Sequence, residues 1–286
     1  MDFSIIIVSF NTADLIGNCL ASVLTGDDCE KEVFVVDNAS TDGSTEMIRR
    51  SFPRVNLIAN PVNRGFAAAN NQVLPECRGR FLFFLNPDTM LAPDALKTLR
   101  AFMEENPRIG LAGARMINPD GTDQESVSYR YPGEKYTAGE LKGLPGRVAC
   151  VLGAAMVART EIIRDVKGFD EAFFLYGEDQ DLCLRIRRAG YEIGYARSAI
   201  VTHIGGQSDR QSASAERWRR KVRAEYQFYR KHYRPETIAR IRRVDTAKAL
   251  WRIFTLQLAM PFVKDRAAAE DKLAKYKVTR DETAGM

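Results

Sequence analysis

Leu82-Phe83-Phe84-Leu85-Asn86-Pro87-Asp88-Thr89 sets four apolar residues directly against an Asn-Pro-Asp turn. An unbroken apolar run suits a strand covered on both faces inside a parallel sheet, although period alone also allows a short buried helix. Pro87 has no N–H for a ladder, so the strand should stop there. Asp88 then stands at the carboxyl end of a strand, where open α/β sheets bind ligands, and its carboxylate suits a divalent cation shared with phosphate oxygens. A plainer reading makes Asn-Pro-Asp-Thr a turn feeding a helix, with Asp88 or Thr89 as N-cap.

Working outward, the same grammar repeats. Phe3–Phe10 and Val33–Val36 read as buried strands, and Val55–Ala59 as a third short strand. Between them lie a helix carrying Leu15, Cys19, Leu20 and Val23 behind a Thr12 or Asn11 cap, and a second helix beginning at Met47 and Ile48. A third helix with Ala67, Ala68, Ala69 and Val73 follows the turn Asn60-Pro61-Val62-Asn63-Arg64-Gly65 and leads into Phe81–Leu85. Strands alternating with helices predict a parallel, doubly wound sheet with right-handed crossovers. The polar loops Ser9–Asn11, Asp37-Asn38, Asn63–Gly65 and Asn86–Asp88 then share one edge of it. A nucleotide site is the simplest common cause, although helix caps also favour Asn, Asp and Ser.

The 286 residues suffice for one large domain, or one domain with an appendage. A net charge of +5 is small for that length. Five scattered cysteines, odd in number and without a C-x-x-C pair, favour reduced thiols in the cytoplasm over a disulfide framework or zinc site. No run of 18 apolar residues occurs, and the start does not read as a signal peptide.

Ile5–Asn11, Val35–Ser44, Asn63–Asn71, Phe84–Thr89 and Tyr176–Arg185, in order and in register, resemble the family 2 inverting glycosyltransferases of the GT-A fold, with bacterial rhamnosyltransferases as the nearest branch. The resemblance covers residues 3 to 207. It implies a GT-A domain over residues 1–208 and a basic, helical C-terminal appendage over 209–286. It further implies that Asp37 accepts the imide N–H of a pyrimidine, with Ser9, Asn11, Asn63 and Arg64 lining the donor pocket. Asp88 takes the place of the last acid in the family's Asp-x-Asp metal motif, with Asn86 in the first position. A neutral amide there leaves one carboxylate fewer for Mg²⁺ or Mn²⁺. His203 matches the histidine that completes that site; a lone histidine after an apolar run is also an ordinary strand-end residue.

The resemblance makes Asp179 the base that deprotonates the acceptor hydroxyl, ionised with help from a helix dipole. Glu178 would touch the acceptor or support Asp179, and Asp181 would cap the helix or pair with Arg185. Val151–Met156 reads as a strand whose small Gly153 and Ala154 leave room for sugar, or simply pack closely. Residues 122–147 read as a mobile connection, a lid or a passive insertion. Single displacement inverts the anomeric carbon, and the branch implies dTDP-β-L-rhamnose as donor to a glycan or lipid-linked saccharide.

From Arg210 to Arg252, 14 Lys or Arg face four acids, with Trp218, Tyr226, Phe228, Tyr229 and Tyr233 interleaved. This is a solvated helical face, a homodimer interface, or, with Leu250–Phe262, a peripheral membrane contact spanning 210–262 at the inner face of the cytoplasmic membrane. Nothing in it matches a nucleic-acid motif. Residues 265–286 read as a fraying end. Two rival readings of the whole chain are a sugar nucleotidyltransferase, which should carry a Gly-rich basic loop after the first strand, and a catalytically dead binding protein, which Asn86 favours slightly.

Overall fold

The computed structural model describes residues 1–25, 29–205 and 213–285. The chain divides into two compact units: residues 1–131, 144–174 and 178–207 form the first, and 132–143, 175–177 and 208–286 the second. The expected boundary at 208/209, Gly206 and Arg210 lie outside the described residues.

In the first unit the chain runs β1 (Phe3–Ser9), α1 (Ala13–Leu24), β2 (Lys31–Asp37), α2 (Ser44–Ser51), β3 (Asn56–Ala59), α3 (Phe66–Val73) and β4 (Phe81–Leu85). It continues through β5 (Thr89–Leu91), α4 (Ala95–Glu105), β6 (Ile109–Ile117), β7 (Val127–Ser128), β8 (Cys150–Val151), β9 (Ala155–Arg159), α5 (Thr160–Asp165), α6 (Glu178–Arg188) and β10 (Glu192–His203). The main sheet has the order β3-β2-β1-β4-β9-β6-β10-β5. β3, β2, β1 and β4 run parallel, as do β6 and β10, whereas β9 and β5 run antiparallel to their neighbours. The doubly wound, mainly parallel sheet expected from the alternation is therefore what forms. Every residue of β1 and of β4 is buried, which the two-sided cover of a central strand requires.

Several local expectations are corrected. β1 stops at Ser9, and Phe10 is exposed. In α1 it is Ile16 that joins Cys19, Leu20 and Val23 in the core, with Leu15 only partly covered. Thr12 holds the N-cap position but makes no capping bond. Its hydroxyl pairs with Ser9 Oγ at 2.8 Å, and the Asp42 carboxylate, 29 residues on, accepts from Ala13 N at 2.8 Å instead. Asp88 and Thr89 cap no helix: Thr89 begins β5, which pairs antiparallel with β10, and α4 starts only at Ala95. Val151–Met156 is two strands rather than one, because the chain turns at Leu152–Ala154 between β8 and β9. Part of the 122–147 connection is structured, since β7 pairs with β8.

The second unit holds α7 (Ser214–His232), α8 (Pro235–Ala259) and α9 (Arg266–Ala284). Tyr226, Phe228, Tyr229 and Tyr233 are buried, and their rings meet at 5.2 to 6.5 Å, so these aromatics form a core rather than a surface. Residues 132–143 share that core: Tyr233 Oη donates to Pro132 O at 2.6 Å and Thr237 Oγ1 to Glu140 Oε1 at 2.7 Å. Most of the 265–286 segment, Arg266–Ala284, forms α9, capped by Asp265, which accepts from Ala268 N at 3.0 Å; its last residue lies outside the described residues.

Gly79 precedes β4 where the backbone crosses β1: a Cβ there would lie 2.3 Å from Ser4 N. Gly79→Ala is expected to cost about 2 kcal/mol or more in urea denaturation. An unchanged midpoint would show that the two backbones do not approach so closely.

Candidate functional site

Parallel pairing brings the strand ends into line. Ser9 lies opposite Asp37, Asp37 opposite Ala59, and Ile7 opposite Leu85, so Ser9, Asp37 and Asn86 emerge at one edge. Asn11 takes φ 52°, in the left-handed region that Asn tolerates. In that conformation its N–H donates to Ser40 Oγ and its Oδ1 accepts from Thr41 N, each at 2.8 Å. These bonds hold the β1–α1 loop to the β2–α2 loop. Asp37 is buried, and Oδ1 accepts from Ser40 N at 2.9 Å, but Oδ2 has no partner within the chain. A buried carboxylate oxygen left unmatched is costly unless a donor arrives, and an N–H of a planar base is a suitable donor.

Asn38, read in the sequence only as part of a polar loop, organises the third loop. Its side chain donates to Gly65 O at 3.0 Å and accepts from Asn60 Nδ2 at 3.0 Å and Arg64 N at 3.4 Å. Asn63 Oδ1 accepts from Gly65 N at 2.9 Å. Gly65 has φ 81°, and a Cβ on it would meet Phe174 O at 2.6 Å, so only glycine fits. The Arg64 side chain is exposed, reaching Gln72 Oε1 at 3.3 Å.

The end of β4 is joined to the carboxylates of α6 by two backbone bonds. Asn86 N donates to Ala154 O at 2.9 Å, and Gly153 N donates to Asp179 Oδ2 at 3.1 Å. Asp179 Oδ1 accepts from Gln180 N at 2.8 Å. Glu178 beside it is buried, and its Oε2 has no partner within the chain. Burial pushes the Glu178 carboxyl up to about 8, with the neighbouring Asp179 charge adding to it. Burial raises Asp179 too, opposed by the N–H groups of Gln180 and Gly153. The helix dipole expected to favour the charged form of Asp179 is thus joined by these two N–H donors, with desolvation acting against them. Burial pushes both carboxyls towards the protonated form, while the two N–H donors on Asp179 favour placing the pair's charge there rather than on Glu178. Asp181 is buried and pairs with Arg185 Nε at 2.7 Å, which makes it structural.

Asp88 and His203 also meet, with Oδ1 and Nε2 3.4 Å apart. They are held together by Ile204 N donating to Asp88 O at 3.0 Å and by the β5–β10 register of His203 opposite Thr89. Gln124, unremarked in the sequence, fixes the imidazole. Its amide nitrogen donates to His203 O and to Asn118 Oδ1, both at 2.7 Å, so its Oε1 faces His203 Nδ1 at 2.9 Å. An acceptor there keeps the proton on Nδ1 and turns the Nε2 lone pair towards Asp88. Cis ligands on an octahedral ion with ~2.1 Å bonds stand about 3 Å apart, so this oxygen and nitrogen suit a divalent cation. Among the described residues no third acid, histidine or cysteine joins them.

Two outcomes are expected. The folded state keeps a proton on Glu178 from its ordinary value of 4.5 up to about 8, whereas the unfolded chain has released it, so Glu178 destabilises increasingly as pH rises through that window. Glu178→Gln should therefore raise Tm by more at pH 8 than at pH 5; a pH-independent difference contradicts the shared-proton assignment. Gln124→Ala should weaken Mn²⁺ binding about tenfold in a paramagnetic titration and let the His203 proton exchange between nitrogens in ¹⁵N spectra. Unchanged spectra and affinity would remove Gln124 from this role.

Comparison with known proteins agrees with the geometry. The family model described as glycosyl transferase family 2 matches residues 4–167, and a model described as the N-terminal domain of galactosyltransferase matches 136–205. The chain is 26% identical over 229 residues to an N-acetylglucosaminyl-diphospho-decaprenol L-rhamnosyltransferase of Mycobacterium tuberculosis, covering 70% of this chain and 75% of that one. It is 32% identical over 152 residues to the pre-mycofactocin glycosyltransferase of the same organism, covering 52% of this chain but 32% of the relative. The structure of a mannosyltransferase from Pyrobaculum calidifontis, in complex with GDP-Man and Mn²⁺, superposes with TM-score 0.62 at 18% identity, covering 98% of this chain and 86% of that one. That likeness fixes the fold. With more than half its length matched by the family model, this chain belongs to the family 2 glycosyltransferases.

Proposed function

We propose that the protein transfers L-rhamnose from dTDP-β-L-rhamnose to a hydroxyl of a cell-surface glycan or lipid-linked saccharide, inverting the anomeric carbon. The observation that carries the reaction type is the Glu178–Asp179 pair, in which Asp179 accepts two N–H donors beside the buried Glu178, tied to the strand edge that holds Asp37 and Asp88. The sugar and its nucleotide rest on the rhamnosyltransferase relative; other transferases match too, and a UDP-sugar donor is the alternative that the same pocket admits.

In this reading Asp37 Oδ2 accepts from the pyrimidine imide, while Ser9, Asn11, Asn63 and Arg64 surround base, ribose or phosphate. Asp88 and His203 would hold Mg²⁺ or Mn²⁺, with Asn86 alongside, and that ion would neutralise charge on the departing diphosphate. Asp179 takes the acceptor's hydroxyl proton as the oxygen forms its bond to the anomeric carbon and the nucleoside diphosphate leaves with the bonding electrons. Gly153 and Ala154 present backbone rather than bulk where the sugar would lie. Glu178, neutral, can donate a hydrogen bond to an acceptor oxygen through its unmatched Oε2. Five buried free thiols favour a cytoplasmic setting, and among the described residues no helix is long and apolar enough to cross a membrane.

Thermal melts with dTDP, UDP, GDP and ADP, each with and without Mn²⁺, test the donor site: a pyrimidine diphosphate should raise Tm, more so with the metal. No shift with any nucleotide would favour an inactive binding protein. Asp179→Asn should keep that shift while sugar transfer falls about 100-fold or more. Near-normal turnover would remove Asp179 as the base.

A further inference from the structure

Among the described residues, the outer face of α8 and the turn that follows it carry the largest concentration of exposed apolar side chains. Leu250, Trp251, Phe254, Leu258 and Phe262 are 53%, 64%, 56%, 61% and 86% exposed. Their spacing sets the first four on one side of the helix. The opposite side, Ile241, Ala249 and Ile253, is buried, and α8 packs on α9. The helix is therefore apolar on both sides over its C-terminal half, and core packing explains only one of them. Single exposed apolar residues need no explanation, but a contiguous aromatic face does.

Charge is arranged around this face. No Asp or Glu occurs between Asp245 and Asp265, whereas Lys248, Arg252 and Lys264 do. Upstream on the same side, Arg242 and Arg243 line a groove of ≈ 550 Å³ whose far end is Leu250, the first residue of the apolar row. A basic groove thus runs without a break into an aromatic surface. Trp251 and Phe254 lie with their rings 6.3 Å apart, forming a broad wedge of the kind that settles at the level of lipid headgroups.

We propose that this face of α8 docks on an acidic lipid bilayer, with Leu250, Trp251, Phe254, Leu258 and Phe262 in the acyl boundary and Arg242, Arg243 and Lys264 on lipid phosphates. The charge pattern selects this occupant over a second copy of the chain. An isologous pair of antiparallel α8 helices about their midpoint sets each basic half against the partner's apolar half and desolvates unpaired cations, and one about Phe254 leaves the Arg242–Arg243 groove outside the contact. A parallel pair sets cation against cation. A bilayer satisfies both halves at once, because phosphates lie beside acyl chains. Tyr226, Phe228 and Tyr229 of α7 take no part, being buried.

The full chain is tested with vesicles of phosphatidylcholine alone and of an equimolar mixture with phosphatidylglycerol, without nucleotide or acceptor, so that the outcome is independent of catalysis. Wild type should sediment with the acidic vesicles, weakly with the neutral ones, and less as salt rises. The triple variant Trp251→Ser, Phe254→Ser, Phe262→Ser should lose at least about tenfold in partition while keeping its circular dichroism and Tm. Should the triple variant misfold, Phe262→Ser alone, outside the helix, should still weaken binding measurably. The blue shift of tryptophan emission on binding should vanish in Trp251→Phe. Equal sedimentation of variant and wild type, or none by wild type, overturns the proposal. So does a dimer in light scattering that Phe254→Ser dissolves while vesicles leave the protein in solution.

Discussion

The site depends on where one strand is forced to stop. Pro87 cannot donate to a ladder, so β4 ends at Leu85 and the Asn86 amide, still needing an acceptor, finds Ala154 O at 2.9 Å. That bond pins the turn between β8 and β9 to the end of β4. The next amide in that turn, Gly153 N, is then placed to reach Asp179 Oδ2 at 3.1 Å. The acids that open α6 are thereby tied to the strand edge holding Asp37 and Asp88, from 142 to 91 residues away in sequence.

Electrostatics then divides the labour between neighbours that look alike in sequence. Glu178, Asp179 and Asp181 all stand in the first turn of α6. Asp181 pairs with Arg185, Asp179 accepts two N–H groups that oppose the rise burial imposes on it, and burial with the neighbouring charge pushes Glu178 up to about 8. A like division separates Asp37 and Asp88. The first has one oxygen left for a neutral donor, whereas the second faces an imidazole nitrogen whose proton Gln124 has drawn to the far side of the ring.

The central sheet was legible because its strands are buried on both faces, and a continuous apolar run such as Phe81–Leu85 has few other uses. The residues at its edge were legible as a set because five motifs lie in register. What escaped was non-local. The cap of α1 comes from Asp42 and the orientation of His203 from Gln124, and neither pairing has a signature at short range. Gly153 breaks a run that reads as one strand, since the apolar residues on both sides fit a strand equally well. In the C-terminal region, composition misled. Tyr226, Phe228 and Tyr229 sit among cations in sequence, yet they point away from them into a helical core, whereas the outward row on α8 looks no different until its neighbours are known.

The central claim is that Asp88, His203 and Asp37 serve one bound nucleoside diphosphate and its cation. A crystal of the protein soaked with dTDP and Mn²⁺, with anomalous data collected at the manganese edge, tests it most directly. The expected result is one manganese peak bonded to an Asp88 oxygen and His203 Nε2, with the thymine imide on Asp37 Oδ2. Manganese bound elsewhere, or a nucleotide seated away from Asp37, would contradict the account.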